Sequence, residues 1–151
     1  MNVLRPLRSY INLVVLVIAV VLMPGCSQEK SPGQAVSGRV LVEEQPLHAG
    51  RVTFNPLNQT SGPKVTAIIR DGTFQFSPQD GPWPGEFQVL IASTPPDIEA
   101  FLNHESHESI RQKAQERHPV IAQEFNSKSK LRATVNRDQE NAFEFEVRWK
   151  R

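Results

Sequence analysis

The sequence predicts an all-β domain, a seven-stranded antiparallel sandwich with one short helical insertion. From residue 35 onward, short stretches rich in Val, Ile, Thr and Phe are separated by Gly, Pro, Asn and Asp. In two of these stretches apolar and polar residues alternate with a period of two, which is typical of strands that bury one face. About seven short strands at this spacing indicate an antiparallel sandwich.

The strands follow in chain order from this pattern and from the turns between them. They are Val36–Glu43, Val52–Phe54, Lys64–Ile69, Thr73–Phe76, Phe87–Ala92, Leu131–Val135 and Ala142–Trp149. A turn through Gln45-Pro46 is predicted after the first strand. Asp71-Gly72 stands between the third and fourth strands, and an Asp-Gly pair favours a two-residue hairpin because that turn requires positive φ.

The first and last strands show the clearest alternation. Val36, Val40 and Val42 share one side of the first strand. In the last strand the apolar set is Phe143, Phe145, Val147 and Trp149, and the polar set is Glu144, Glu146 and Arg148. We therefore expect each strand to bury one face and to expose the other.

One connection is too long for a compact β domain. The stretch 94–124 holds roughly thirty residues, whereas such domains usually spend only a few on a connection. It opens with Thr94-Pro95-Pro96-Asp97, which offers a capping residue, a proline at the first helical position and an acid soon after it. We expect two short helices or one irregular helix over about 95–117, packed loosely on the sandwich.

The first 25 residues have the pattern of a bacterial signal peptide. Arg5 and Arg8 precede an apolar run from Ile11 to Leu22. The run is shorter than the roughly 20 apolar residues that a spanning helix needs, and a short apolar core behind a basic start is typical of an export signal. Pro24 and Gly25 break the helix after the run and favour cleavage there. An uncleaved N-terminal anchor helix is the alternative.

Cys26 is the only cysteine of the chain. The stretch Met23-Pro24-Gly25-Cys26 resembles the bacterial lipobox, in which Leu, a small residue and Gly or Ala precede the cysteine that is lipidated. Gly25 and Cys26 match this pattern, whereas Met23 and Pro24 depart from it. A solitary cysteine cannot form an internal disulfide, so a free thiol or an intermolecular bridge is the alternative. We predict lipidation at Cys26, export, and anchoring to a bacterial membrane facing the periplasm or the cell surface.

The mature chain then consists of a tether and one domain. Residues 26–34 are predicted to be a lipidated, flexible tether because they hold too few apolar residues to fold. Residues 35–151 form the domain, which includes the insertion 94–124. Removing residues 1–25 leaves 15 of the 17 basic residues against 16 acidic ones. The mature part is therefore close to neutral, and a nucleic-acid partner is not expected.

Six short motifs are spread over most of the chain after the tether. They are Gly38-Arg39-Val40, Gln45-Pro46-Leu47, Val52-Thr53-Phe54 with Pro56, Asp71-Gly72-Thr73-Phe74, the stretch 84–89 and the stretch 125–131. Together they resemble the small exported β domains of planctomycete-type bacteria in the carboxypeptidase-regulatory-like or transthyretin-like class. The resemblance implies an immunoglobulin-like or transthyretin-like sandwich. The name of the class describes its shape and does not imply peptidase activity. Glu44 stands where that class usually has Gly, so the first turn is expected to be longer or of another type.

The sequence offers little catalytic chemistry. It has no Gly-x-Ser-x-Gly elbow, and its one cysteine is assigned to the anchor. Paired carboxylates occur at Glu43-Glu44 and at Glu144 with Glu146, but the second pair lies on the solvated face of a strand. We therefore predict that the protein is not an enzyme and that it needs no cofactor.

His104 and His107 are the closest approach to a metal-binding pattern. Histidines three residues apart on a helix share a face and can chelate. A zinc site needs three or four ligands, and the others would have to come from His48, His118 or acids without recognisable spacing. A solvated helix face accounts for the same residues, so no metal is expected, and metal binding in the periplasm remains an alternative function.

Trp83 is the candidate ligand-binding residue, because prolines on both sides of it make a rigid loop that could present the ring to a sugar or a peptide. Packing of Trp83 over the end of the sandwich is the alternative. Asn126, Ser127 and Ser129 are explained by a turn that satisfies its own backbone.

The sequence thus predicts a lipid-anchored, non-enzymatic binding or structural module of the cell envelope, with an envelope protein or a glycan as partner. A carbohydrate-binding module that uses Trp83 is the alternative from another class.

Overall fold

The computed structural model describes residues 33–137 and 139–151. The predicted signal peptide, Cys26 and most of the tether lie outside these residues, so those predictions stay predictions. The part that is described is mostly β, as predicted, and it contains eight strands and two α-helices. Within it, no helix is both long enough and apolar enough to cross a membrane.

All the predicted strands are present, and one short strand is added to them. The strands are β1 (Val36–Val42), β2 (Gln45–Pro46), β3 (Ala49–Pro56), β4 (Val65–Arg70), β5 (Thr73–Phe76), β6 (Gly85–Ser93), β7 (Arg132–Val135) and β8 (Ala142–Val147). The added strand, β2, lies where a turn was predicted. It pairs with the end of β1, so the turn occurs just before it.

The strands form one hydrogen-bonded sheet in the order β2-β1-β5-β4-β3-β6-β7, and β8 also pairs with β1. Of the seven strand pairs in the part described, six are antiparallel, as predicted. β8 is the exception because it runs parallel to β1 from Ser37 and Ala142 to Val42 and Val147. The last strand therefore packs beside the first.

The sheet curls into a half-barrel around one core. The predicted parity is confirmed: Val36, Val40 and Val42 are at most 5% exposed, and Phe145 and Val147 face the same core. Phe143 and Trp149 pack against it at its margin.

The Asp71-Gly72 hairpin is confirmed. Both residues have positive φ, 47° and 78°, and Arg70 lies opposite Thr73. A second two-residue turn joins β1 to β2, where Glu43 and Glu44 have φ of 50° and 68°. Of the two expected alternatives, a longer turn or a turn of another type, the structure excludes the longer one, because β2 pairs with β1 immediately after these two residues.

Replacing Glu44 by glycine is expected to stabilise the protein by about 0.5 to 1 kcal/mol. The left-handed backbone costs a non-glycine residue roughly 1–2 kcal/mol, and part of that gain is lost to the greater freedom of glycine in the unfolded chain. Urea unfolding measures the change. The control is Glu146→Gly, an exposed position within β8, which should be destabilising. Equal effects of the two substitutions would contradict strain at Glu44.

The insertion contains two short helices, α1 (Pro96–Leu102) and α2 (His107–Lys113), within the range predicted. Pro96 occupies the first turn, but the N-cap is Pro95, so Thr94 does not cap α1 as expected. Ser106 caps α2 by accepting a hydrogen bond from the Ser109 N–H. Ala100 is the one buried residue of the two helices, which agrees with loose packing.

Candidate functional site

The strands β4 and β5 leave the same hairpin and then separate. Arg70 opposite Thr73 is the one register pair between them. On its other side β4 pairs with β3 along its whole length, from Arg70 to Val65, and β5 pairs with β1. Each strand therefore has one edge that, within residues 33–137 and 139–151, is without a neighbouring strand beyond the hairpin.

An open cleft of about 1410 Å³ is lined by residues of these two strands and of β1 and β8. Its apolar part includes Ala67 from β4, Phe74 from β5 and Phe143 from β8. Ala67 and Phe74 belong to the buried core, and Phe143 packs against that core. The cleft thus joins the core to the surface, and an apolar group that enters it would lose water-exposed area.

Gly38 of β1 lines the cleft beside Phe74 and Phe143. A Cβ atom at this position would lie 2.5 Å from the Phe74 Cζ atom and 2.5 Å from the Phe143 carbonyl oxygen. The Phe74 ring can therefore approach the β1 backbone this closely only because residue 38 has no side chain. This contact is a physical reason for glycine in the first motif of the sequence.

Two arginines border the cleft, Arg39 on β1 and Arg70 on β4. Neither makes an ion pair in the part of the chain that is described. Glu144 and Asp80 also line the cleft. Their side chains make no ion pair with the two arginines, so both guanidinium groups can bind an incoming anion.

A second group of polar side chains lies where α1 meets the hairpin. The His48 Nδ1 atom is 2.8 Å from an Asp71 carboxylate oxygen, and the Nε2 atom is 3.3 Å from a Glu99 carboxylate oxygen. Both nitrogens can donate only when the ring is protonated. Because His48 and Asp71 are largely exposed, with 77% and 82% of their side-chain surface accessible, the pair adds little stability. The group links the insertion to the sheet.

Sequence reasoning missed this group. In the sequence, His48 stands out only as a possible further ligand for a metal at His104 and His107. Its partners in the structure come from a hairpin and a helix that lie far along the chain. No local spacing indicates such a contact. A cavity of about 400 Å³ lies beside it, lined among others by Glu43, His118 and Trp149.

Trp83 is half-buried in the structure. Its side chain covers Gly62, where a Cβ atom would lie 2.8 Å from the indole Cγ atom. Gly62 also has φ of +115°, a backbone conformation that favours glycine. Both the close approach of the indole ring and this conformation therefore require glycine at position 62. Trp83 does not line the cleft between β4 and β5.

His104 and His107 do not share a helix. α1 ends at Leu102, His104 lies in the linker with φ of 59°, and His107 is the first residue of α2. The common helix face on which chelation would depend is therefore absent, because the linker and the N-cap Ser106 separate His104 from α2. Among the described residues, no three His, Cys, Asp or Glu side chains are grouped so that they could hold a metal ion.

Glu105, between these histidines, pairs with Lys113 at 2.8 Å. The hydrogen bond from Lys113 lowers the pKa of the Glu105 carboxyl group, and the same bond raises the pKa of Lys113. The ion pair joins the last residue of α2 to the linker that precedes this helix.

Ser129 supports the interpretation of the stretch 126–129 as a turn. It is 3% exposed, its hydroxyl donates to the Val89 carbonyl oxygen, and it accepts from the Leu131 N–H. This hydroxyl therefore fastens the loop to β6 and is not available to a ligand.

Comparisons with known proteins add no relative: no protein family, no curated protein and no solved structure matches the chain. The candidate site therefore depends on the geometry of the cleft.

Proposed function

We propose that this protein is an exported, lipid-anchored component of the bacterial cell envelope, and that its β-sandwich domain binds a partner rather than catalysing a reaction. The observation that supports binding is the cleft of about 1410 Å³. In the part of the chain that the structure describes, it combines two strand edges without a neighbour, an apolar wall and two arginines without an ion pair. These groups are suited to holding a ligand by burial, hydrogen bonds and charge.

The way the sheet divides supports a two-layer sandwich of the immunoglobulin-like or transthyretin-like kind. Among the described residues, Arg70 and Thr73 form the one register pair that joins the half formed by β4, β3, β6 and β7 to the half formed by β5, β1, β2 and β8. The buried residues of both halves belong to one core cluster. Two layers that face one core, joined at one hairpin, have the arrangement of a sandwich.

The proposed anchor is supported by the position of Cys26 directly after the apolar run and by the polar stretch that follows it. The end of the tether packs on the domain, since Gly33 is buried and the Gln34 N–H donates to the Pro82 carbonyl oxygen. The remaining stretch 26–32 can extend by roughly 25 Å, at about 3.3–3.6 Å per residue. A domain on such a tether would reach partners near the membrane, so we propose an envelope protein or a glycan as the partner.

Intact mass and membrane fractionation of the native protein beside Cys26→Ser test the anchor. We expect the native chain to begin at Cys26 with added acyl mass, and the variant to leave the membrane fraction. A native chain that keeps residues 1–25 and carries no acyl mass would instead make the stretch 11–22 an uncleaved anchor.

Site-specific photo-crosslinking in intact cells tests binding at the cleft. A photoreactive residue in place of Gln75, an exposed residue that lines the cleft, should give a discrete crosslinked species. The control is the same residue at Lys150, which is exposed and does not line the cleft. Equal crosslinking at the two positions, or none at Gln75, would refute the cleft as a binding site.

A further inference from the structure

The free edge of β4 has the properties of a strand that accepts another strand. Within the described residues, the stretch 65–69 pairs with β3 on one side, and on the other side β4 meets β5 only at Arg70. The main-chain groups that point to this side are therefore available for hydrogen bonds. An extended peptide that pairs with such an edge gains a ladder of backbone hydrogen bonds.

The side chains of this edge favour the same kind of ligand. The stretch 65–69 reads Val-Thr-Ala-Ile-Ile, without charge, Pro or Gly. Ile68 is 53% exposed, which makes it one of the large exposed apolar residues of the domain. An added strand would cover Ile68 and would face the apolar wall of the cleft at Ala67 and Phe143.

Two cations mark the ends of this uncharged stretch. Lys64 precedes it and Arg70 ends it, both are exposed, and neither has an ion pair among the described residues. If two copies of the chain paired through β4 in antiparallel register about Ala67, Lys64 would face Arg70 of the second copy. In a parallel pair, Lys64 would face Lys64. Like charges directly opposite each other destabilise a strand pair, so self-pairing is disfavoured in both directions.

We propose that the β4 edge binds an extended segment of a partner protein as an additional strand, and that this segment is apolar in its centre and acidic at both ends. The acidic ends pair with Lys64 and Arg70, and the centre packs on Ile68 and the cleft wall. The inference rests on the binding function proposed above and adds the chemical class of its partner.

Fluorescence anisotropy with the full chain in detergent tests this partner class. The probe is a labelled peptide with the sequence Glu-Glu-Val-Thr-Val-Thr-Val-Glu-Glu, and the comparison peptide has Lys in place of every Glu. We expect the acidic peptide to bind at least tenfold more tightly at low salt, since two attractive charge pairs replace two repulsions. Hydrogen exchange should slow at the amides of Thr66 and Ile68, which point to the free edge, whereas the amides of Val65, Ala67 and Ile69 already face β3.

Charge reversal at the edge supplies the decisive variant. Lys64→Glu combined with Arg70→Glu should reverse the preference toward the lysine peptide. The matched control, Lys130→Glu with Arg132→Glu, reverses two exposed cations near β7 and should leave the preference unchanged. Equal binding of both peptides, no binding of either, or a preference that the edge variant does not reverse would overturn the proposal.

Self-pairing gives an independent test. The single substitution Lys64→Glu would place a carboxylate opposite Arg70 of a second copy in antiparallel register, so this variant should dimerise in density-matched sedimentation. The native chain and the double variant Lys64→Glu with Arg70→Glu should remain monomers. A monomeric Lys64→Glu chain would show that the edge is closed to strand addition.

The peptide test and the crosslinking test can give different results. If neither peptide binds while a photoreactive residue at position 75 still forms a crosslink, the cleft binds a different partner, and the broader binding function stands.

Discussion

Replacing Phe54 by alanine is expected to lower the free energy of unfolding by about 3 to 5 kcal/mol. Phe54 is fully buried in β3. Its ring lies 5.4 Å from that of Phe76, 5.8 Å from that of Phe87 and 5.9 Å from that of Phe143, measured between centroids. These rings come from both halves of the sheet, so the truncation opens a cavity that no single strand can close by moving.

Urea unfolding followed by circular dichroism measures the loss. The matched control is Phe101→Ala, which makes the same chemical change at a side chain that is 66% exposed on α1. It should change the free energy of unfolding by less than about 0.5 kcal/mol. If the two substitutions cost the same, the aromatic cluster is not the centre of the core.

Replacing Gly38 by alanine is expected to cost about 3 kcal/mol, at the upper end of the usual range for overpacking. The new methyl group would lie 2.5 Å from a backbone oxygen of β8 and 2.5 Å from the Phe74 ring. The oxygen belongs to the strand that pairs with β1 in parallel, so relief requires both a shift of β8 and a different position of the ring. Both changes disturb the core and the cleft.

Thermal unfolding of Gly38→Ala beside Ser37→Ala tests this expectation. Ser37 is the neighbouring exposed residue of β1, and its substitution should be close to neutral. The Gly38→Ala chain should also lose crosslinking at Gln75, because the altered ring position changes the cleft. A Gly38→Ala chain as stable as the native one would show that β8 yields to the methyl group at low cost.

The parts of the fold that the sequence predicted are those with a local signal. Alternation places Val40 and Phe145 in the core, since a strand has a period of two whatever it pairs with. Asp71-Gly72 gives the hairpin because the turn requires positive φ, which these residue types tolerate. The two helices of the insertion follow from the length of the connection and the proline that opens it.

Features without a local signal were missed. Glu43 and Glu44 form a tight turn although neither residue favours positive φ, because pairing of β2 with β1 imposes it. Asn141 is buried and bonds to backbone groups of Asn136, Gln139 and, at 3.5 Å, Ala35. The neighbouring residues in the sequence do not distinguish this asparagine from one in an ordinary loop.

The sequence by itself determined seven of the eight described strands, their buried faces and the main hairpin, because these depend on residues that are neighbours along the chain. Only the tertiary structure decided the parallel pairing of β8 with β1, the contact of His48 with Asp71 and Glu99, and the separation of β4 from β5 that opens the cleft. These depend on which surfaces meet when one core is buried. That choice is made by packing over the whole domain, and no short stretch of sequence encodes it.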